Sequence, residues 1–202
     1  MLLIMRAAMT AFTIDTLQIP QTNIVILQSL FGKAAQKVLD EVTIGKDTII
    51  DLTVQTSDDR WIVQQAISST LLDAGYRVQT ESPLSEDTTV RFDVKPIEIR
   101  VAYDGILRSG LFGTKRTIRT LSCSLAFLIT ETQTHNVRLS KTLSVENTDT
   151  VDVDLIPHLE DQSVKSTQGK IPDESFIDRI AEPLVIIGAA GTIIYLFFHI
   201  RS

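Results

Sequence analysis

The sequence predicts an α/β fold of α+β character: a mixed β-sheet with two helices packed on one face, followed by a single C-terminal transmembrane helix. Three observations predict it. Residues 23–42 and 59–74 space their apolar positions by three and four, the period of a helix with one buried face. Several other stretches alternate apolar and polar residues, the period of a half-buried strand. From Pro183 to Phe198 the run PLVIIGAAGTIIYLFF carries no charge, and Ile200 extends it.

Residues 1–20 are set apart as an N-terminal segment. MLLIMRAAMTAF holds fragments of an export signal interrupted by Arg6, so a degenerate or truncated signal and an unstructured start both stay open. Thr13 to Ile19 reads as an extended lead-in ended by Pro20. In the first helix Leu27, Leu30, Phe31, Ala34, Val38 and Val42 form the stripe, with Thr22 or Asn23 placed to cap it. Gly45 breaks the chain, and Thr48 to Gln55 reads as a strand. Ser57 or Asp58 can cap the second helix, whose inner face is Val63, Ile67, Leu71 and Ala74, with Trp61 anchoring its start. Gly75 suits the left-handed residue that ends a helix. Tyr76-Arg77-Val78 then opens another strand, and a strand–helix–strand passage implies parallel or mixed pairing.

The second half is strand-rich. Val90, Phe92 and Val94 share one face, and Ile97, Ile99, Val101 and Tyr103 follow in the opposite phase. The slip at Lys95-Pro96 marks a bulge or an edge position. Gly105 to Thr114 reads as a glycine-punctuated loop. Leu121, Cys123, Leu125, Phe127 and Ile129 alternate with polar or small residues, a turn follows at Gln133 to Asn136, and Val137, Leu139, Leu143 and Val145 mark the returning strand. The α/β domain is therefore expected over 21–147. Residues 148–180, acidic and polar with Gly169 and Pro172, are expected to be a partly ordered tether, and 181–202 the anchor.

Crossing about 30 Å of hydrocarbon takes roughly 17–25 apolar residues. A snorkelling Arg201 and the preceding Ile180 and Ala181 would lengthen the run, and Pro183 suits a first helical turn. A core helix of a soluble domain is the alternative, and a run apolar on every face argues against it. Gly188, Gly191 and Thr192 make one side small, suited to packing against a second helix in lipid, and the frequency of glycine and alanine in membrane helices accounts for them equally well. Residues 171–182 carry more acid than base and the exit carries Arg201, so charge bias leans toward a domain outside the cytoplasm.

Composition narrows the function. A net charge of −6 argues against nonspecific nucleic-acid binding, and no nucleic-acid partner is expected. Cys123 is the only cysteine, which excludes an intrachain disulfide, and its place on an apolar strand face predicts a buried, inert thiol. His135, His158 and His199 show no metal-ligand spacing. Asp58 and Asp59 are explained by helix capping, while Asp149, Asp152 and Asp154 read as a solvated acidic run before a cation site. Gly110 to Gly113 lacks the spacing of a phosphate loop. Lys115, Arg116 and Arg119 form a basic cluster that could meet lipid headgroups or an acidic partner, or simply protect a strand edge. No residue is assigned a catalytic, cofactor or metal role. A noncatalytic protein is expected, with Leu111, Phe112, Lys115 and Arg116 as candidate partner contacts.

The run IIDLTVQTSDDRWIVQQAISSTLLDAGYRV, followed by the hairpin SLAFLITETQTHNVRLSKTLSV, resembles a class of bacterial envelope domains. The class includes the curli-secretion lipoprotein, the penicillin-binding-protein activator lipoproteins and the amino-terminal domain of the Tol–Pal translocation protein. Leu71, Leu72, Gly75, Tyr76 and Val78 carry the helix-to-strand step that is similar. The sequence departs from the lipoproteins in having no lipobox cysteine near its N-terminus. The resemblance implies a noncatalytic envelope assembly or regulatory protein and carries over no functional residues. Together with the apolar run, the charge bias and the small helix face, the expectation is a protein held to the bilayer by its C-terminal helix, more in the periplasm than the cytoplasm, with a protein partner and compatible with a homo-oligomer. A tail-anchored cytosolic subunit of a membrane complex and a small-molecule- or lipid-binding domain stay open as alternatives.

Overall fold

A computed structural model describes residues 19–46, 48–55, 58–80, 88–108, 113–171 and 176–200, with backbone alone at 88–89 and 176–182. The predicted α/β architecture is present. Helix α1 (Asn23–Glu41), strand β1 (Ile49–Val54), helix α2 (Arg60–Asp73) and strand β2 (Arg77–Thr80) are followed by three long strands. These are β3 (Thr88–Arg108), β4 (Lys115–Glu131) and β5 (Val137–Asp152). A one-turn helix α3 (Ile156–Leu159), a short strand β6 (Gly169–Lys170) and helix α4 (Phe176–Ile200) complete the chain. The sheet is mixed, in the order β2-β1-β3-β4-β5, with β6 against β3. β1 runs parallel to both β2 and β3, whereas β3, β4 and β5 are antiparallel neighbours.

β4 sets the register. Its alternate residues from Thr117 to Ile129 are buried under the helices, and Leu121, Leu125 and Ile129 have no exposed surface. β3 must match that face along its whole length, yet its apolar residues change phase. The structure reconciles the two with a bulge: Val94 opposes Phe127 and Pro96 opposes Leu125, but Glu98 already opposes Ser124. The extra residue is Ile97, which is exposed, and beyond it Ile99, Val101 and Tyr103 meet Cys123, Leu121 and Arg119 on the inner face. Proline at the slip fits, because it has no N–H to give to a ladder. Across the core Phe92 and Phe127 meet edge to face at 5.8 Å, an arrangement worth about 0.5–1.5 kcal/mol beyond the area it buries.

The helices cover this face as their spacing requires. Leu27, Leu30, Phe31, Ala34 and Val38 of α1 and Ile62, Val63, Ile67 and Leu71 of α2 are buried. The helices approach closely at Gly32, where an added Cβ would lie 2.9 Å from Thr70 Oγ1. α2 ends as expected: Gly75 has φ +86°, its N–H donates to Leu72 O, and the Tyr76 N–H donates to Leu71 O. That is the paired closure that only a left-handed residue allows without strain. In the β4–β5 turn a hydroxyl bond from Thr134, then the Arg138 guanidinium, hold Glu131 below the ordinary carboxylate range.

Several expectations are corrected. Trp61 anchors nothing and is half exposed. Thr22 is the N-cap residue of α1 but its hydroxyl makes no cap bond, and neither does the Asp59 side chain on α2. The segment expected as a tether from 148 belongs to the folded body as far as 171. β5 continues to Asp152, Ile156, Leu159 and Val164 are buried in the core, and β6 pairs with Val101 and Ala102. Its polar composition is misleading because Asp149 and Asp152 are neutralised by Arg119 and Arg116, brought from far away in the chain. Pro183 is also interior to α4 and not in its first turn, since the helix begins at Phe176. It removes the bond to the Arg179 carbonyl.

Candidate functional site

Two features stand out: a buried polar cluster that ties the C-terminal segment to the body, and helix α4 beyond it. The cluster is a consequence of register. Tyr103, Arg119 and Asp149 are direct cross-strand neighbours on β3, β4 and β5, all on the helix-covered face. Arg119 has no exposed surface. Its Nε donates to Asp149 Oδ1 at 2.8 Å, a second nitrogen pairs with Asp149 Oδ2, and Nη1 donates to Gln21 O and to Asn23 Oδ1, each at 2.8 Å. Asn23 in turn donates to Tyr103 Oη at 2.9 Å and to Thr167 O at 2.7 Å. One amide thus joins the start of α1, the middle of the sheet and the C-terminal segment.

Further bonds hold the same segment. Asp59 Oδ2 accepts the Ser166 N–H at 2.9 Å, and Glu160 Oε1 accepts the Gly169 N–H at 2.8 Å. Gly169 is pressed so closely on Tyr103 that an added Cβ would sit 2.7 Å from the ring. Burial, partly offset by the Asn23 bond, pushes the Tyr103 hydroxyl up to about 12. Burial likewise pushes the Cys123 thiol up to about 12, the environment of an unreactive cysteine.

The carboxylates read from sequence as caps or a solvated run have other roles. Asp58 lies 3.6 Å from Lys165 Nζ, and Asp59 holds the 166 backbone. Asp149 pairs with Arg119, and Asp152 Oδ1 accepts from Arg116 Nε at 2.9 Å. Among the described residues no group of three or more His, Cys, Asp or Glu could hold a metal ion.

Of the expected partner contacts, Leu111 and Phe112 lie outside the described residues, while Lys115 and Arg116 open β4 opposite Arg108 and Leu107. The basic trio is not one cluster: Arg119 is buried three residues on, with its charge answered inside the protein. Asn23, Tyr103 and Asp149 were not assigned this role from sequence. The signal available was a lone arginine at an inward position of an apolar strand, which demands a buried anion.

In α4, residues Pro183–Ile200 form an 18-residue window of mean hydropathy 2.0, none of it buried. Its length is about 27 Å at 1.5 Å per residue, close to the hydrocarbon thickness. Helix α4 is long and apolar enough to cross a membrane. An added Cβ at Gly188 or Gly191 would meet nothing within 4 Å, so this side is open. The Thr192 hydroxyl donates to Gly188 O at 2.8 Å and is thereby satisfied within the helix. At the far end Tyr195 and His199 stack at 5.3 Å.

No protein-family description and no curated protein matches the sequence. Solved structures resemble it in part. A neuraminyllactose-binding hemagglutinin homolog from Helicobacter pylori is 12% identical over 60% of this chain and 84% of its own, with a TM-score of 0.35. A minor lipoprotein from Acinetobacter baumannii is 13% identical over 56% of this chain and 71% of its own, with a TM-score of 0.32. A lipoprotein from Neisseria meningitidis is 10% identical over 72% of this chain and 99% of its own, with a TM-score of 0.30. All three are bacterial and two are lipoproteins. Likeness at this level leaves the function to be read from the chain's own residues.

Proposed function

We propose that this chain is a noncatalytic, membrane-anchored accessory or assembly protein of the bacterial cell envelope, acting through protein–protein contacts beside the bilayer. The observation that carries the reading is α4: an 18-residue window of high mean hydropathy in one helix, none of it buried, following a folded α/β body. In water such a helix would leave an apolar surface exposed on every side, and a bilayer is the solvent that removes the cost. The body supports the noncatalytic part. Among the described residues, buried Arg119 is bonded to Asp149 and buried Asp59 to the 166 backbone, both structural uses. The charge bias around α4 favours a periplasmic body.

Fractionation of cells producing the full chain tests the anchor, with α4 expected to hold it in the pellet through alkaline carbonate washing. Release into the wash would end the reading. Protease added to intact spheroplasts is expected to digest the body, and full protection would move it to the cytosol.

A further inference from the structure

The sheet ends on one side in β5, and that end is unusual. β5 is sixteen residues long, and among the described residues it pairs only with β4. Residues 137–152 contain neither proline nor glycine, and the β4–β5 register shifts only near its start, between Ile129 and Thr130. Edge strands of soluble domains are usually kept short, broken by proline, twisted by bulges or covered, because a free row of N–H and C=O groups recruits another strand. Among the described residues β5 carries none of those four along most of its length; its protection is charge (Arg138, Lys141, Glu146, Asp149 and Asp152), which turns away a strand that does not complement it. On the helix side a groove of about 510 Å³ lies between Lys33, Gln36 and Lys37 of α1 and Ser144 to Glu146 at the strand's midpoint.

We infer that β5 is the interface between two copies of this chain, paired antiparallel with itself about a two-fold axis through Val145. The evidence is the charge pattern of the strand. Its bases are in the first half (Arg138, Lys141) and its acids in the second (Glu146, Asp149, Asp152). Pairing about Val145 sets Lys141 opposite the partner's Asp149, while Arg138, the bulged residue of the β4–β5 pair, turns to Glu131 and Thr43 O of its own chain. It also sets Leu139 opposite the partner's Val151, on the face the helices cover. Moving the axis one residue to Ser144 would instead place Leu139 against an aspartate, and moving it to Glu146 would place Leu143 there. Of these three registers the one about Val145 sets Lys141 against an aspartate and keeps both Leu139 and Leu143 clear of one, as a self-complementary two-fold contact requires.

The existing ion pairs reinforce the same register. On the inner face Arg119 pairs with Asp149 and Lys141 with Glu41. Joined across the axis they form a row whose charges alternate: Arg119, Asp149, then the partner's Lys141 and Glu41. That row crosses the joint twice by symmetry. The sheet would continue from one copy into the other, burying the half-covered Leu143 and Val145 at its centre.

The test uses the full chain in native membranes, with Cys123→Ser as the background and Val145→Cys at the axis. Directly opposed residues of an antiparallel pair have Cα atoms about 4.5–5.5 Å apart, within disulfide reach. Mild oxidation is expected to link Val145→Cys chains into a dimer and to leave the exposed Ile97→Cys control monomeric. Ser140→Cys is expected to link to Thr150→Cys on another copy, and neither to link alone. Lys141→Glu replaces two attractions with two repulsions per dimer and is expected to weaken association about tenfold, whereas Lys141→Arg is expected to keep it. Far-UV circular dichroism confirms that each variant is folded. Failure of Val145→Cys to link, its linking to a different protein, or equal linking at Ile97→Cys would overturn the inference.

Discussion

Replacing Asn23 with alanine should loosen the whole C-terminal segment, although the residue lies at the start of the first helix. The amide is fully buried and makes three bonds, donating to Tyr103 Oη and Thr167 O and accepting from Arg119 Nη1. Without it the Thr167 carbonyl and one Arg119 N–H lose their partner in a buried site. A buried polar group left unsatisfied costs about 1–3 kcal/mol, more when charged, so the expected total is about 3 kcal/mol. For a domain of this size that corresponds to a melting temperature lower by roughly 6–12 °C. Urea unfolding of the full chain in mild detergent, followed by far-UV circular dichroism, reads the stability. Hydrogen exchange reads the location: amides from 164 to 170 should exchange faster than those of β4. Arg119→Met should lose a similar amount, and the double variant should lose less than the sum by about 1 kcal/mol or more, because their shared bond is lost once. If Asn23→Ala costs under about 1 kcal/mol and exchange at 164–170 is unchanged, the cluster does not hold the segment and the reasoning fails.

Gly169→Ala should detach β6. The new Cβ would meet the Tyr103 ring at 2.7 Å and Val101 O at 2.9 Å, an overpacking worth about 1–3 kcal/mol, visible as a lower urea midpoint. Cys123 should resist a water-soluble thiol reagent at pH 8 in the native protein and react on unfolding. Stability should also fall as pH rises from about 9 to 12. The folded pKa values of Cys123 and Tyr103 are raised to about 12 from 9.0 and 10.0, so the unfolded chain releases its protons first. Cys123→Ala should delay the onset to about pH 10, as judged by urea midpoints across that range. Gly191→Arg, near the middle of the apolar window, should cost about 2.5–3.5 kcal/mol of insertion and deplete the protein from carbonate-washed membranes.

Sequence alone determined the elements whose signal is periodic. α1, α2, β1, β4 and the β3 bulge were legible because burial of one face imposes a spacing of 3.6 or 2 on neighbouring residues, and α4 because lipid requires an uninterrupted apolar run. Gly75 was legible because a left-handed helix end selects a residue type locally. Of the site, the composition and small face of α4 could be read in advance, and the cluster could not. Its members come from residues 21–23, 59, 103, 119, 149, 160 and 166–169, and no local pattern links them. The same blindness made residues 148–171 look like a solvated tether. A carboxylate reads as solvent-facing until the fold supplies its cation, as it does for Asp149 and Asp152. The tertiary structure alone decided that Asn23 and Asp59 are struts and not caps, and that β5 pairs only with β4 among the described residues. Those outcomes depend on which segments meet, and meeting is set by sheet order and register rather than by the residues' own preferences.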